Sequence, residues 1–170
     1  IEILKALPSD RRLQFVEVGL WQGKSAIFLV QYALAMGLDF HLWLVDVFRG
    51  CEMSGGNLKK ISRDLCLGSS FVANTAANLA QNGAGTCSSM LQVPSDQAAR
   101  FFDDGSCDLV FIDADHSYEA AFRDVLAWLP KMRKGGFLAG HDYDHPPVKR
   151  AVDQISLELG LNMEQRGKCW

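Results

Sequence analysis

The chain has no cluster of lysine and arginine long enough to suggest a nucleic-acid track, no apolar run long enough to span a membrane and no N-terminal signal pattern. With a net charge of −3 it has no basic track for nucleic acid, so we expect neither a nucleic-acid nor a membrane partner. Its five cysteines are spread out and none forms a Cys-x-x-Cys pair. That spacing disfavours a zinc site or a disulfide framework and predicts reduced thiols in a cytoplasmic protein.

The composition is that of one globular domain. Hydrophobic residues make up 48% of the 170 residues and charged residues 22%, which is enough apolar surface for a single core. Internal repeats and low-complexity segments are lacking too. We therefore predict one domain over residues 1–170, trimmed at one or both ends: the sequence begins at Ile1 without an initiator methionine, which suggests trimming or a disordered leader, and its last residues resemble a hairpin cut short.

Strand and helix patterns alternate along the whole sequence. Apolar runs without polar alternation, such as Leu42 to Val45, indicate strands that are buried on both faces of a parallel sheet. We predict strands at 13–18, 40–47, 86–93, 108–112 and 137–140, and helices at 24–36, 69–82, 96–102, 117–129 and 146–160, with a further short helix at 58–65. This order predicts an α/β fold: a doubly wound, Rossmann-like three-layer sandwich with a mostly parallel sheet and a C-terminal antiparallel hairpin.

The first strand runs into a glycine turn and then a helix, which is where open α/β folds bind nucleotide-like ligands. The turn has the pattern Glu17-x-Gly19-x-x-x-Gly23, and an acid stands where a dinucleotide fingerprint has its first glycine. A carboxylate would repel a pyrophosphate but suits a ligand with an ammonium group or hydroxyls. An ordinary strand-to-helix turn with a stray acid is the alternative.

Two later strands end in residues suited to a nucleoside. Asp46 follows four apolar residues and can accept both hydroxyls of a ribose, unless it is only a turn or cap acid. Ser95 follows the third strand and can hydrogen-bond a heterocycle, although capping the next helix is its more common use.

A second polar cluster follows the fourth and fifth strands. Asp113, His141 and Asp142 offer carboxylate and imidazole ligands for Mg²⁺ or another divalent cation. His116, one short turn from Asp113, is a candidate general base. Caps and hydrogen bonds within the loops are the structural alternatives.

Four stretches together resemble the class I S-adenosylmethionine (SAM)-dependent methyltransferases, in the small group related to catechol O-methyltransferases and cephalosporin-hydroxylase-like proteins. They are VEVGLWQGKS at 16–25, VDVF at 45–48, DLVFIDADHSYE at 108–119 and GGFLAGHDY at 135–143. The resemblance spans nearly the whole chain in the same order.

The resemblance implies three sets of site residues. The implied catalytic pair is His116 and Asp113, and His116 stands where relatives place a lysine. The implied cation ligands are Asp113, His141 and Asp142. The last two of these form a His-Asp pair, where relatives more often have Asp-Asn or Glu-Asp. The methionine part of SAM would lie at the first turn, the ribose at Asp46 and the adenine at Ser95 and Asp96. The implied cofactor-binding residues are Glu17, Gly19, Leu20, Trp21, Gly23, Ser25, Asp46, Val47, Ser95, Asp96 and Asp113.

These observations predict methyl transfer from SAM to a hydroxyl of a small molecule, with a divalent cation such as Mg²⁺ as a candidate second cofactor. Trp21, Phe48, Tyr143 and the 51–56 loop are candidates for the acceptor pocket, and the sheet edge offers a surface for a homo-oligomer. Three alternatives stay open: a non-catalytic SAM-binding or oligomerisation module, an NAD-dependent oxidoreductase, which Glu17 disfavours, and a metal-dependent hydrolase.

Overall fold

A computed structural model describes residues 2–48 and 69–170, with α/β architecture. Its strands are β1 (Leu13–Val18), β2 (Phe40–Val45), β3 (Ser88–Leu91), β4 (Cys107–Ile112) and β5 (Met132–Gly140). Its helices are α1 (Glu2–Lys5), α2 (Lys24–Ala35), α3 (Ser69–Gln81), α4 (Ser95–Ala98), α5 (Tyr118–Trp128) and α6 (Pro146–Leu159), and short 3₁₀ helices follow α4 and α5 at Ala99–Phe101 and Leu129–Lys131. In these ranges no helix is both long and apolar enough to cross a membrane.

The five strands form one parallel sheet in the order β3-β2-β1-β4-β5. The chain moves outward from β1 through β2 to β3 and then returns to the other side of β1 as β4. The strand order therefore reverses between β1 and β4, and the crevice at their carboxyl ends is the usual ligand site of such sheets. The predicted α/β class and parallel sheet are confirmed.

Helices cover both faces of the sheet, as the three-layer prediction requires. On one face Phe15 and Leu42 pack with residues of α1, α2 and α3. On the other, Val16 and Val110 pack with residues of α4, α5 and α6. The solid apolar runs of the central strands follow from this arrangement, since both faces of each strand are buried.

Asp108 joins several segments at the amino end of the sheet through hydrogen bonds and ion pairs. Its side chain is 2% exposed, accepts hydrogen bonds from both terminal guanidinium nitrogens of Arg11 and lies 3.2 Å from Nε of Arg133. The backbone N–H of Gln14 donates to it at 2.9 Å. Burial alone would raise the pKa of Asp108, but the hydrogen bonds from Arg11 and Gln14 and the two guanidinium charges bring the pKa below its ordinary value.

Several predicted boundaries differ from the structure. The strands β2 and β3 end at Val45 and Leu91, earlier than predicted, and the 96–102 helix divides into α4 and a 3₁₀ turn. Strand β5 begins at Met132, five residues early, and its register shifts against β4. The helix predicted at 58–65 and the loop at 51–56 lie outside the described residues.

The C-terminal hairpin is not confirmed. In the described part of the chain the named sheet contains parallel pairs only, and the C-terminal segment has one isolated antiparallel bridge, between Arg166 and Cys169. Trp170 instead exchanges two backbone hydrogen bonds with Gly140, at 3.1 and 3.0 Å. Its ring lies where a β-carbon on Gly140 would sit, 2.3 Å from Cζ2, so the end of β5 needs glycine for this contact.

Candidate cofactor and metal site

The turn after β1 lies directly against the end of β4. Gly19 has a φ of +86°, and a β-carbon there would lie 2.0 Å from the carbonyl oxygen of Asp113. Gly23, with a φ of +75°, is the N-cap of α2 and supplies no side-chain cap. This turn therefore combines a close backbone approach with N–H groups at the start of a helix that no capping side chain occupies, and such groups suit an anionic group of a ligand.

Three non-glycine residues with positive φ lie after strands at this edge. They are Trp21 (φ +48°), Phe48 (φ +51°) and Asp142 (φ +55°). Side chains disfavour this region of backbone space, and residues held in it concentrate at ligand sites. Trp21 and Val47 also expose 47% and 38% of their surface there.

Glu17 points into the protein. It is 1% exposed and accepts a hydrogen bond from the Ser25 hydroxyl at the start of α2. Burial, together with the nearby Asp113 charge, raises the pKa of Glu17 to about 8 against the effect of the Ser25 hydrogen bond. The structure thus brings the predicted Glu17 and Ser25 together, with the carboxyl neutral at pH 7 and covered by protein.

Asp46 joins the turns after β1 and β2. Its Oδ2 accepts the backbone N–H of Leu20 at 2.8 Å, and its Oδ1 accepts the backbone N–H of Phe48 at 2.7 Å. Each carboxylate oxygen has a second lone pair, so a ligand hydroxyl can still be accepted. Asp46 therefore also has a structural function, which sequence reasoning named only as the alternative.

Ser95 begins α4 and contacts a side chain of α5. Its Oγ accepts the indole N–H of the fully buried Trp128 at 2.9 Å. Asp124 lies one helical turn before Trp128 on α5, is 3% exposed and was missed from the sequence. The available signal was its spacing of three and four residues from Ala121 and Trp128, which the helix buries on the same side. Asp96 lies in the first turn of α4, as expected.

The predicted cation ligands converge after β4 and β5. One ligand atom each from Asp113, His141 and Asp142 lies within 4.8 Å of the others, and all three residues are half-buried. Nδ1 of His141 is 3.2 Å from Oδ1 of Asp142 and 4.0 Å from Oδ2 of Asp113. Two carboxylates and an imidazole are a donor set that a divalent cation accepts, so these residues fit such an ion.

His116 adjoins this cluster. Its Nε2 is 2.8 Å from Oδ2 of Asp142 and 3.7 Å from Oδ1 of Asp113. This buried nitrogen has no aligned hydrogen bond within residues 2–48 and 69–170. The Asp113 carboxylate, followed by the charges of Asp142 and Asp115, raises the pKa of His116 against the opposing effect of burial. The structure thus places the predicted base beside the predicted cation ligands.

Two cavities of the described chain lie outside the predicted site. One, of about 640 Å³, is lined by the end of α6 and the residues after it, including Leu157 and Met163. The other, of about 390 Å³, lies between Trp43, Leu91 and Phe101. Neither contains a predicted site residue, so neither serves as evidence for an acceptor pocket.

Comparison with known families decides the kind of protein. A sequence model described as a methyltransferase domain matches residues 16–143, more than half of the chain. The chain belongs to this methyltransferase family. The match begins in β1 and ends just after Asp142, so it contains every predicted site residue of this SAM-dependent methyltransferase.

Solved structures agree with the methyltransferase fold. The O-methyltransferase NovP has a TM-score of 0.72 at 18% identity, over 99% of this chain and 76% of that one. The calicheamicin methyltransferase CalS11 has a TM-score of 0.62 at 16% identity, over 91% and 66%. A geranyl diphosphate methyltransferase in complex with SAM has a TM-score of 0.54 at 12% identity, over 98% and 58%. The search of curated proteins finds no match.

The family assignment favours SAM over NAD as the cofactor. The methyltransferase turn around Gly19 and Gly23 has the close approach and the uncapped helix start that a ligand carboxylate needs, and Asp46 keeps lone pairs for hydroxyls. These features fit an amino-acid nucleoside such as SAM. The roles of the individual residues stay predictions.

Proposed function

We propose that this methyltransferase transfers the methyl group of SAM to a hydroxyl of a small molecule, with a divalent cation held by Asp113, His141 and Asp142. The observation that carries the proposal is the convergence of these three ligands beside the Gly19 turn. NovP is an O-methyltransferase, and a further similar structure is that of a TDP-rhamnose 3′-O-methyltransferase, which supports the same class of acceptor.

The first three strand ends would bind the cofactor. SAM supplies a methyl group activated by a sulfonium, so the protein needs mainly to hold donor and acceptor in line. The turn from Gly19 to Gly23 and the start of α2 would bind the methionine part. Asp46 and Val47 would bind the ribose, and Ser95 and Asp96 the adenine.

The fourth and fifth strand ends would act on the acceptor. A cation held by these residues would lower the pKa of the acceptor hydroxyl. His116 would take the hydroxyl proton at Nδ1, because its Nε2 faces the carboxylates of Asp142 and Asp113 at 2.8 and 3.7 Å. Asp113 and Asp142 hold this ring in place through their carboxylates.

Calorimetric titration with S-adenosylhomocysteine tests the cofactor assignment, with NAD⁺ as the control ligand. We expect binding of the first and none of the second. Asp46→Asn should weaken binding, because the amide replaces an acceptor for the ribose, whereas Asp39→Asn should not, because Asp39 is exposed and remote from the carboxyl edge. Equal affinity of the wild type and Asp46→Asn would contradict the ribose assignment.

Titration with Mn²⁺, Mg²⁺ and Zn²⁺ tests the cation site separately. We expect a site that is lost in both Asp113→Asn and His141→Ala. If none of the three ions binds, with or without S-adenosylhomocysteine, the metal part is rejected and a metal-free methyltransferase remains. With SAM supplied, formation of S-adenosylhomocysteine in the presence of one member of a panel of hydroxyl compounds would identify the acceptor.

Several other properties of the molecule stay predictions. They are a cytoplasmic location, a small-molecule partner, no nucleic-acid or membrane partner, and a homo-oligomer formed through a sheet edge. Sedimentation measurements on the purified protein would test the oligomer.

A further inference from the structure

The two carboxylates of the proposed cation site lie between two imidazoles. Nδ1 of His141 is 3.2 Å from Oδ1 of Asp142 and 4.0 Å from Oδ2 of Asp113. Nε2 of His116 is 2.8 Å from Oδ2 of Asp142 and 3.7 Å from Oδ1 of Asp113. Each imidazole thus faces a different oxygen of each carboxylate, so the cluster has one side at His141 and another at His116.

The His141 side has the spacing of an ion site. An ion bound at about 2.0–2.2 Å holds neighbouring donors about 3 Å apart and opposite donors about 4 Å apart. Both distances from Nδ1 of His141 fall in this range, and one donor atom each of His141, Asp113 and Asp142 lies within 4.8 Å of the others. Among the described residues this set does not include His116. An ion held there would have one nitrogen ligand and two oxygen ligands from the protein.

The backbone fixes His141 without help from an ion. Its N–H donates to the carbonyl oxygen of Ile112 at 3.0 Å, and its carbonyl oxygen accepts the indole N–H of Trp170 at 3.2 Å. The N–H of Asp113 donates to the carbonyl oxygen of Val18 at 2.8 Å. Since strand ends hold both residues, the nitrogen donor is a built part of the site.

The charges of the cluster call for a cation. Within residues 2–48 and 69–170, the ion pairs of Asp113 and Asp142 are with the two imidazoles, and none is with a lysine or an arginine. Two neighbouring carboxylates repel each other, and a bound cation would offset this repulsion. The described chain therefore supplies no ammonium or guanidinium group that would take the place of an ion.

We propose that His141 sets the metal preference of this methyltransferase: its Nδ1 makes the site favour a transition-metal ion such as Co²⁺ over Mg²⁺. Imidazole nitrogen is a good ligand for the later first-row metals, whereas Mg²⁺ takes oxygen ligands and gives up its waters reluctantly. The inference rests on the proposed cation site, to which it adds the identity of the ion.

Competition against Mn²⁺ measures this preference without any turnover. Free Mn²⁺ gives a sharp EPR spectrum that is lost on binding, so an ion that displaces it restores the spectrum. With S-adenosylhomocysteine present, we expect Co²⁺ to displace Mn²⁺ from the wild type at a concentration at least about a hundredfold lower than that of Mg²⁺.

His141→Asn exchanges the nitrogen donor for an oxygen donor. The amide oxygen can lie where Nδ1 lies, because both atoms are attached to Cγ, and neither side chain brings a charge to the bound ion. We expect the variant to keep Mg²⁺ binding and to lose at least about tenfold of the preference for Co²⁺. His145→Asn is the matched control, since its ring is 5.8 Å from that of His116 and belongs to no ligand set among the described residues.

Electron spin-echo modulation of bound Mn²⁺ detects the nitrogen ligand directly. We expect the modulation of a directly bound nitrogen in the wild type and in His145→Asn, and its loss in His141→Asn. If His141→Asn does not fold, the wild-type modulation and the wild-type displacement by Co²⁺ and Mg²⁺ still decide.

The outcomes separate this inference from the proposed function. If Mn²⁺ binds the wild type without nitrogen modulation, or if the modulation persists in His141→Asn, His141 is not the selective ligand. Equal ratios of Co²⁺ to Mg²⁺ displacement in the wild type and His141→Asn overturn the inference as well, and each of these results leaves the cation site in place. If Mn²⁺ does not bind the folded wild type in the presence of S-adenosylhomocysteine, the cation site is itself wrong and the inference falls with it.

Discussion

Glu17 is the residue whose environment departs most from what its sequence position suggests. An acid at the end of a strand in a nucleotide-type turn predicts a ligand contact, and the structure instead covers the carboxyl and gives it the Ser25 hydroxyl as a partner. A carboxyl without water is stabilised in its neutral form. Glu17 therefore links the protonation of the protein to its folding.

Glu17→Gln should change the pH dependence of stability. The folded-state pKa of about 8 lies above the ordinary value of 4.5, so between these values the folded state holds a proton that the unfolded state has released. The free energy of unfolding should fall as pH rises through this window, and glutamine should reduce that fall by a few kcal/mol. Urea unfolding at about pH 6 and pH 8 gives the change in the free energy of unfolding between these pH values. An equal change in the wild type and Glu17→Gln would argue against a buried acid.

Gly19→Ala should be far more destabilising than Gly37→Ala. Both glycines have positive φ, +86° and +70°, so both substitutions carry a backbone cost of about 1–2 kcal/mol. Only at Gly19 does the new β-carbon meet backbone, 2.0 Å from the Asp113 carbonyl oxygen, whereas Gly37 has nothing within 4 Å. We expect Gly19→Ala to lose at least about 2 kcal/mol more in urea unfolding. Equal losses would mean that the two strand ends are not in contact.

At the scale of the elements, the two ends of the sheet carry different kinds of residue. The carboxyl ends of the strands carry the predicted cofactor and cation ligands, together with the three non-glycine residues that have positive φ in the described part of the chain. The amino end is fastened by Asp108, which joins the segment before β1 to β4 and β5. Strain is thus concentrated where ligands are expected, and stabilising contacts lie at the opposite end.

Asp108→Asn should destabilise the domain at neutral pH. It removes the charge that Arg11 and Arg133 face in a largely buried position, and breaking such a pair costs roughly 3 kcal/mol. Because the folded-state pKa of Asp108 is lowered, its contribution is present above the ordinary pKa and is lost as pH falls. Asp104→Asn is the matched control, since its pair with Lys131 is at the surface and is worth about 0–1 kcal/mol. A similar loss in the free energy of unfolding of both variants would mean that Asp108 does not stabilise this end of the sheet.

At the scale of the whole molecule, the site depends on several strand ends held at fixed positions by one core. A ligand that binds only the folded state stabilises it by mass action, by about 2.7 kcal/mol at a hundred times its Kd. For a chain of this size the corresponding rise in Tm is about 5–10 °C.

Thermal unfolding should therefore respond to each ligand separately. We expect S-adenosylhomocysteine to raise the Tm of both the wild type and His141→Ala, and Mn²⁺ to raise the Tm of the wild type only. His141 is a cation ligand in the proposal and no part of the cofactor set, which makes the variant selective. A Mn²⁺ shift that persists in His141→Ala would place the ion elsewhere.

Much of the arrangement could be predicted from the sequence because it depends on local patterns. Buried apolar runs predicted the central strands, and polar residues placed directly after them predicted the convergence of Asp113, His141 and Asp142. The early start of β5 could not be predicted, since residues 132–136 carry no strand pattern and pair only because β4 lies alongside. The pairing of Trp170 could not be predicted for a similar reason: its backbone partner is Gly140, far away in sequence.

The sequence by itself determined the fold class, the family and the residues placed at the strand ends, because periodicity, turn glycines and motif order are properties of the chain read locally. Only the tertiary structure decided what those residues experience. Burial made Glu17 a neutral acid, and packing of α5 against α4 brought the Trp128 indole to the Ser95 hydroxyl. Exclusion of water and contacts between distant segments exist only once the chain is folded, and these set the protonation and polarity on which the proposed chemistry depends.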